Sequence, residues 1–240
     1  MKILKLKLFQ EVATYKKPYA LKVEEVYPLP PYSTVIGFLH NILEVKNGEK
    51  FNFNVSIQGT HESVNHNYVT KSRFASEAKK KEYKKKYGID IDATTFPYYN
   101  HFLFNVNLVI HVQAEDDIIY KLYNNILNGK GNYVLGNNSD MVRLDEVKIV
   151  STRQVNLNEN IILKYDAYIP EKYLTNKIPG QHYKLNTYYK IDSTNQLRIF
   201  QKENVVFVEE AFNKENSEES IANSLKDILI DEENDYLFLA

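Results

Sequence analysis

The chain has 240 residues, no cysteine and a formal net charge of −1. That length buries a substantial core, and the missing cysteines exclude disulfides, thiolate zinc sites and cysteine nucleophiles and fit a cytosolic protein. No apolar run approaches the roughly 18 residues needed to cross a bilayer, and the near-neutral total excludes a chain that binds polyanions over its whole surface.

The N-terminal "ILKLKLFQ" sets Leu4, Leu6 and Leu8 against Lys5 and Lys7. This period of two predicts a strand with one buried face, not a signal peptide. The next element is "LPPYSTVIGFLHNIL". Two prolines lead to Ser33 or Thr34 as helix cap, Val35, Ile36, Leu39, Ile42 and Leu43 fall at helical spacing, and Asn47-Gly48 marks the end. Gly37 sits one turn inside, where alanine would be about 1 kcal/mol better. Either packing demands a bare backbone there, or something outside the fold comes close.

"FNFNVSIQG" predicts a second strand, and about forty polar and basic residues follow it. Residues 71–86 hold eight basic side chains against two acidic ones, whereas residues 209–235 hold ten acids and two lysines. A neutral total therefore hides a basic segment and an acidic tail. The basic segment interleaves with Tyr68, Phe74, Tyr83 and Tyr87 and then meets "FPYYNHF". Cations neutralise phosphates while rings stack on unpaired bases. As an insertion between strands, this stretch would project as an arm.

"FLFNVNLVIHV" is the clearest strand, with Phe104, Val106, Leu108, Ile110 and Val112 on one face and Asn105, Asn107 and His111 on the other. A second helix follows in "EDDIIYKLYNNILNG", and "DEVKIVSTRQV" supplies a fourth strand. The order βαββαβ predicts an α+β fold with a ferredoxin-like (RRM-like) body over residues 1–155, carrying the insertion at about 60–100. Helices would cover one sheet face, and the other would stay open, as in RNA-recognition modules. Residues 156–240 form a β-rich extension with an acidic tail, either a second sheet or extra strands on the first, and residues 217–230 look helical.

Chemistry-bearing motifs are sparse. His61 and His66, five apart, read as a polar loop and not as metal ligands, and no nucleotide-loop, nucleophile-elbow or HExxH pattern occurs. "GKGNYVLGNN" is either a helix stop with a turn or a backbone cradle for phosphate. Metal-free RNA cleavage needs a base for a ribose 2′-OH and a donor for the leaving oxygen. His40, His101, His111 and several tyrosines and lysines are the candidates, with His111 best placed on the open face.

At Lys16, Lys17 and Pro18, then Pro30, Pro31, Tyr32, Ser33, Thr34, Gly37 and Leu39, the chain resembles a known family. This is the CRISPR-associated RAMP-superfamily subunit that caps the crRNA 5′ handle in type I Cascade complexes, the fifth Cas family, in its type I-B-like branch. "FPYYNHFLFNVNLVIHV" and "LGNNSDMVRL" are similar to family patterns as well. The resemblance implies a ferredoxin-like body with a β-hairpin thumb; no cofactor, no metal and no catalytic residue is expected. Its implied partners are the crRNA 5′ handle, the Cascade backbone and large subunits, and target DNA through the complex, without a membrane.

On that basis the expected RNA contacts are Lys16, Lys17, Tyr32, Ser33, Thr34, Gly37 and His40 at the helix start. Lys71, Arg73, Lys79, Lys80, Lys81, Lys84, Lys85 and Lys86 would grip phosphates from the thumb, and Gly136, Asn137, Asn138 and Arg143 would contribute from the loop. One type I-C branch of the family cleaves precursor crRNA with tyrosine, lysine and histidine. The adjacent Lys-His pair is missing here, so metal-independent ribonuclease activity remains the alternative function and not the first expectation.

Overall fold

The computed structural model describes residues 2–20, 23–46, 49–155, 161, 163–210 and 224–240. The leucines of β1 (Lys2–Ala13) sit at the centre of the sheet. β1 is antiparallel to β5 (Ala93–Gln113), with Leu6 opposite Ile110, and to β6 (Arg143–Gln154), with Leu6 opposite Val147. β3 (Asn54–Thr60) flanks β5 on its other side, so the central order is β6-β1-β5-β3.

Two helices bury their apolar stripes on the leucine face. α1 (Tyr32–Ile42) contributes Val35, Leu39 and Ile42, and α3 (Asp116–Leu127) contributes Ile119, Leu122 and Ile126, all in one core with Leu4, Leu6, Leu8, Val106 and Leu108. Helix α1 starts earlier than its sequence suggests. Extended Pro31 holds the cap position, and its carbonyl accepts from the N–H of Thr34 at 2.9 Å and of Val35 at 3.3 Å. Ser33 and Thr34 lie inside the first turn and make no cap bond. The expected stop at Asn47-Gly48 lies outside the described residues; the helix closes at Leu43.

The sheet continues past β3. β7 (Asp166–Pro170) pairs with β3, β9 (Arg198–Val208) with β7, and β8 (Gln181–Ile191) with β9. The C-terminal strands therefore extend the first sheet, and β8 curls back against α1. Tyr168, Leu185, Val205 and Phe207 belong to the same core as the N-terminal leucines.

The face expected to stay open is closed. β10 (Leu229–Asp231) pairs with β6, β11 (Tyr236–Leu237) pairs with β10, and Leu237 and Leu239 pack on Ile3 and Val150. Ala240 exchanges backbone hydrogen bonds with Val55, and the Phe238 N–H donates to Ser56 Oγ at 2.9 Å. Leu229 and Ile230 are thus strand, where helix was expected; residues 217–223 lie outside the described set.

Lys5, on the lysine side of β1, is fully buried. Its ammonium donates to Asp231 at 2.6 Å, Glu233 at 2.7 Å and Asp235 at 2.5 Å. His111 is also fully buried, with Nε2 3.1 Å from Asp231. Its expected place on an open surface is overturned, because the C-terminal segment covers it. The sequence pattern K-L-K-L reads as one-sided only while the tail is out of view.

Two outcomes test this clasp. Lys5→Ala strands buried carboxylates without their cation, a change of the kind that costs about 3–5 kcal/mol, and chemical denaturation should show a loss of that order. Burial opposes charge on Asp231 and Asp235, but hydrogen bonds from His111, Lys5 and Lys164 outweigh it and hold both carboxyls below their usual range. Burial also lowers the His111 pKa, against the pull of Asp231. In each case the unfolded chain takes up protons first as pH falls, so this stability is complete above about pH 6.5 and declines below it, then further below about pH 4. Thermal melting between pH 7.5 and pH 4 should report this descent.

Candidate nucleic-acid interface

β5 leaves the body at Asn105, whose φ of +48° breaks the regular ladder. On the body side β5 pairs with β3 as far as Asn107; on the far side it pairs with β4 (Ser63–Phe74), from Ser63 opposite Phe104 to Phe74 opposite Ala93. This hairpin is the thumb, and it carries a helix at its tip, α2 (Glu77–Tyr87). Ser76 caps α2 by accepting from the Lys79 N–H, and Gly88, at φ +68°, supplies the left-handed stop. No residue of α2 is buried.

The tip presents most of the expected cations. Lys80 pairs with Glu77 at 3.2 Å and Lys84 with Asp90 at 3.0 Å, while Lys86 lies 5.0 Å from the Tyr87 ring centroid. Among the described residues no ion pair engages Arg73, Lys79, Lys81 or Lys85. Exposed rings stand on the same hairpin: Phe74 at its tip end is 90% exposed, and Tyr68 and Tyr99, nearer the body, are 59% and 51% exposed. Tyr68 and Tyr99 face each other across the ladder, edge to face at 5.2 Å.

At the root the expected cations are already matched. Lys16 and Lys71 both bond Glu24, Lys71 at 3.0 Å, and Lys17 pairs with Glu25 at 3.1 Å. His66 and His101 sit directly opposite one another, with ring centroids 4.2 Å apart. Burial and the neighbouring His66 lower the His101 pKa.

The helix start differs from its expected role. Tyr32 is fully buried against Tyr168, with ring centroids 6.2 Å apart, so it serves the core and not an RNA contact. His40 spends Nδ1 on the Ile36 carbonyl at 2.8 Å and accepts the Phe51 N–H at Nε2, 3.1 Å away. It staples α1 to the segment entering β3 and has no ring nitrogen left for RNA. Ser33 and Thr34 are half-buried and Gly37 is exposed.

The 129–138 loop is filled from within. Asp140 accepts the N–H of Asn137 at 2.9 Å and of Thr14 at 2.7 Å, and a Cβ on Gly136 would lie 2.6 Å from the same carboxylate. The expected phosphate cradle therefore holds a resident carboxylate, although Gly136, Asn137 and Asn138 remain exposed. Arg143 is bidentate to Asp145, at 2.6 and 3.2 Å, and lies 4.4 Å over the Phe9 ring. Sequence reasoning missed Glu24 and Asp140 because neither acid belongs to a periodic pattern or a motif. Among the described residues one convergence of three metal-ligating groups occurs, Asp231, Glu233 and Asp235, and it surrounds the Lys5 ammonium. No described helix is long and apolar enough to cross a membrane.

A sheet flanked by helices, with a basic hairpin rising from it, is the architecture of a RAMP-type CRISPR-associated protein. Residues 3–204 match the family model described as CRISPR-associated protein (Cas_Cas5), and the chain belongs to that family. It is similar in fold to a chain of a solved "CRISPR RNA-guided surveillance complex", with a TM-score of 0.58 at 13% identity, covering 86% of this chain and 89% of that one. A CRISPR protein from Archaeoglobus fulgidus aligns over 100% of this chain and 99% of its own at 9% identity, with a TM-score of 0.49. No curated protein sequence matches the chain.

Gly37 now has a structural answer to one of its two readings. A Cβ built there meets nothing within 4 Å, so internal packing among the described residues does not require the bare backbone. Gly37→Ala should therefore stabilise the free protein by about 1 kcal/mol, raising Tm by roughly 2–4 °C for a chain of this size. A lowered Tm would show that packing demands the glycine after all.

Proposed function

We propose that the chain is a non-catalytic, crRNA-binding subunit of a type I, I-B-like Cascade interference complex in the cytoplasm. It caps the 5′ handle of the guide, touches the backbone and large subunits, and meets target DNA only through the complex. The observation that carries this reading is the thumb: a projecting hairpin that bears Phe74 exposed near its tip with Arg73, Lys79, Lys81 and Lys85, which make no ion pair among the described residues, and the exposed rings of Tyr68 and Tyr99 lower on the same ladder. Cations neutralise a phosphate backbone and rings stack on splayed bases, which is how single strands are held without a groove. The family match and the similarity to a chain of an RNA-guided complex support the same reading.

The body is read as ferredoxin-like from its central order β6-β1-β5-β3, with α1 and α3 on one face. Its opposite face is sealed by the C-terminal strands, so the RRM mode of stacking bases on an open sheet does not operate here. Recognition passes to the thumb and the rim around the start of α1.

The ribonuclease alternative needs an accessible base and acid. His111 is enclosed beside Asp231, and His40 gives both ring nitrogens to the backbone, which supports the non-catalytic reading. The facing pair His66 and His101 is what a cleavage assay would test. Repeat-derived RNA incubated with the protein in EDTA should stay intact; a discrete cut ending in a 2′,3′-cyclic phosphate would reverse the assignment.

The binding test is direct. Changing Lys79, Lys80 and Lys81 together to glutamate should weaken binding of repeat-derived single-stranded RNA about tenfold or more and flatten the slope of log affinity against log salt by about two. Fluorescence anisotropy across a salt series measures both. Unchanged affinity and slope would remove the thumb tip from the interface.

A further inference from the structure

The root of the thumb holds a buried carboxylate. Glu24 lies on β2 (Val23–Glu24), a two-residue strand that runs parallel to β5, with Glu24 opposite Asn100. One of its oxygens meets Lys16 Nζ, and the other accepts from Lys71 Nζ at 3.0 Å. The Lys71 ammonium also sits 3.9 Å from the centroid of the buried Tyr98 ring, with the Lys16 ammonium 5.8 Å away. Burial opposes charge on Glu24, yet hydrogen bonds from Lys16, Lys71 and Tyr98 hold its carboxyl below the usual range. A single carboxylate thus gathers the turn after β1, β2 itself, β4 and β5.

Position gives this cluster its consequence. β1 pairs with β5 only as far as Leu103, and β3 only as far as Asn107. Beyond them the thumb is a two-stranded ladder, flanked among the described residues by β2. An isolated two-stranded hairpin is at best marginally stable and has no fixed direction. From Glu24 the chain runs to α1, and on the way Leu29 is held through both backbone groups by Tyr168 Oη, at 3.3 and 2.8 Å. The Glu24 cluster therefore joins the thumb root to the segment that leads into α1.

The same geometry engages two of the lysines expected to contact RNA, Lys16 and Lys71, within the fold. An incoming phosphate would have to displace a buried carboxylate whose oxygens are both engaged, and would find ammoniums already matched to a charge and a ring face. We propose that Glu24 is a positioning residue for RNA binding: through Lys16, Lys71 and Tyr98 it locks the thumb to the chain that enters α1, so that tip and helix start form one preformed surface. The functional half rests on the RNA-binding reading above; the mechanical half does not.

The test uses the full-length chain with Glu24→Gln, which keeps the shape and removes the charge, and with Lys71→Met as a second variant in case the first folds poorly. Hydrogen exchange on the free protein should show faster exchange in β4 and β5 around residues 69–73 and 96–98, with β1 and β6 unchanged. Binding of repeat-derived single-stranded RNA should fall about tenfold, a coupling of ordinary size, with the salt slope unchanged. Tighter binding with a steeper slope in Glu24→Gln would overturn the proposal, because the lysines would then be phosphate contacts that Glu24 blocks. Unchanged exchange at the root would overturn the clamp. A wild-type chain that shows no preference for this RNA over a scrambled strand would defeat the functional half, and the exchange data would still decide the mechanical one.

Discussion

A buried ammonium stays charged only where the fold delivers carboxylates to it, and Lys5 receives them from residues 226, 228 and 230 positions later in the chain. That constraint fixes more than one side chain. Asp231 accepts the N–H groups of Glu233 and Asp235 on its other oxygen, at 2.8 Å each, so the turn between β10 and β11 is shaped around the carboxylate that Lys5 holds. Once the turn is set, Leu237 and Leu239 cover Ile3 and Val150, and the chain end joins β3. The central strand of the sheet is thereby buried on both faces, and the second face is lost as a binding surface.

Closing that face relocates the chemistry. An RRM-like sheet offers stacking rings on its open side, but here the equivalent side holds Lys5, His111 and an aliphatic seam. The thumb carries accessible rings, Phe74, Tyr68 and Tyr99 among them, on the same hairpin as cations that have no acidic partner among the described residues. Charge is segregated in step with this division. The tail acids Asp231, Glu233 and Asp235 are spent inside the fold, whereas the thumb-tip lysines face solvent on a helix that buries nothing. A net charge of −1 is therefore compatible with a strongly basic projection.

Local periodicity made the body legible. Leu4, Leu6 and Leu8, the stripes of α1 and α3, and the alternation through Val106, Leu108 and Ile110 depend on neighbours a few positions away, and the sequence carries that information. What stayed hidden depends on partners far along the chain. Lys5 and His111 read as surface residues because their acids are more than a hundred positions distant. Tyr32 carries a polar group into the core, and the sequence alone does not reveal that Tyr168 arrives to cover it. Pro31 took the cap position from Ser33 by conformation, since its extended backbone presents a carbonyl to Thr34 and Val35 without a side-chain bond. In the candidate site, the tip lysines were legible as a charge run, but the pairing of both Lys16 and Lys71 with one buried glutamate was not.

On the proposed reading, the thumb divides its work along its length. Ion pairs at the root are intramolecular and close on a buried carboxylate, so they set direction and release no counterions when a strand binds. Cations at the tip are exposed, and Arg73, Lys79, Lys81 and Lys85 make no ion pair among the described residues, so their attraction for a phosphate backbone comes with release of counterions and weakens as salt rises. A rigid root under a salt-sensitive tip gives a guide strand a surface whose geometry is set before contact and whose hold is set by charge. Preorganisation of this kind lowers the ordering that binding would otherwise require. Gly37 fits the same logic, because a bare, exposed helix backbone at the rim admits a strand or a neighbouring loop to a distance that any side chain would forbid.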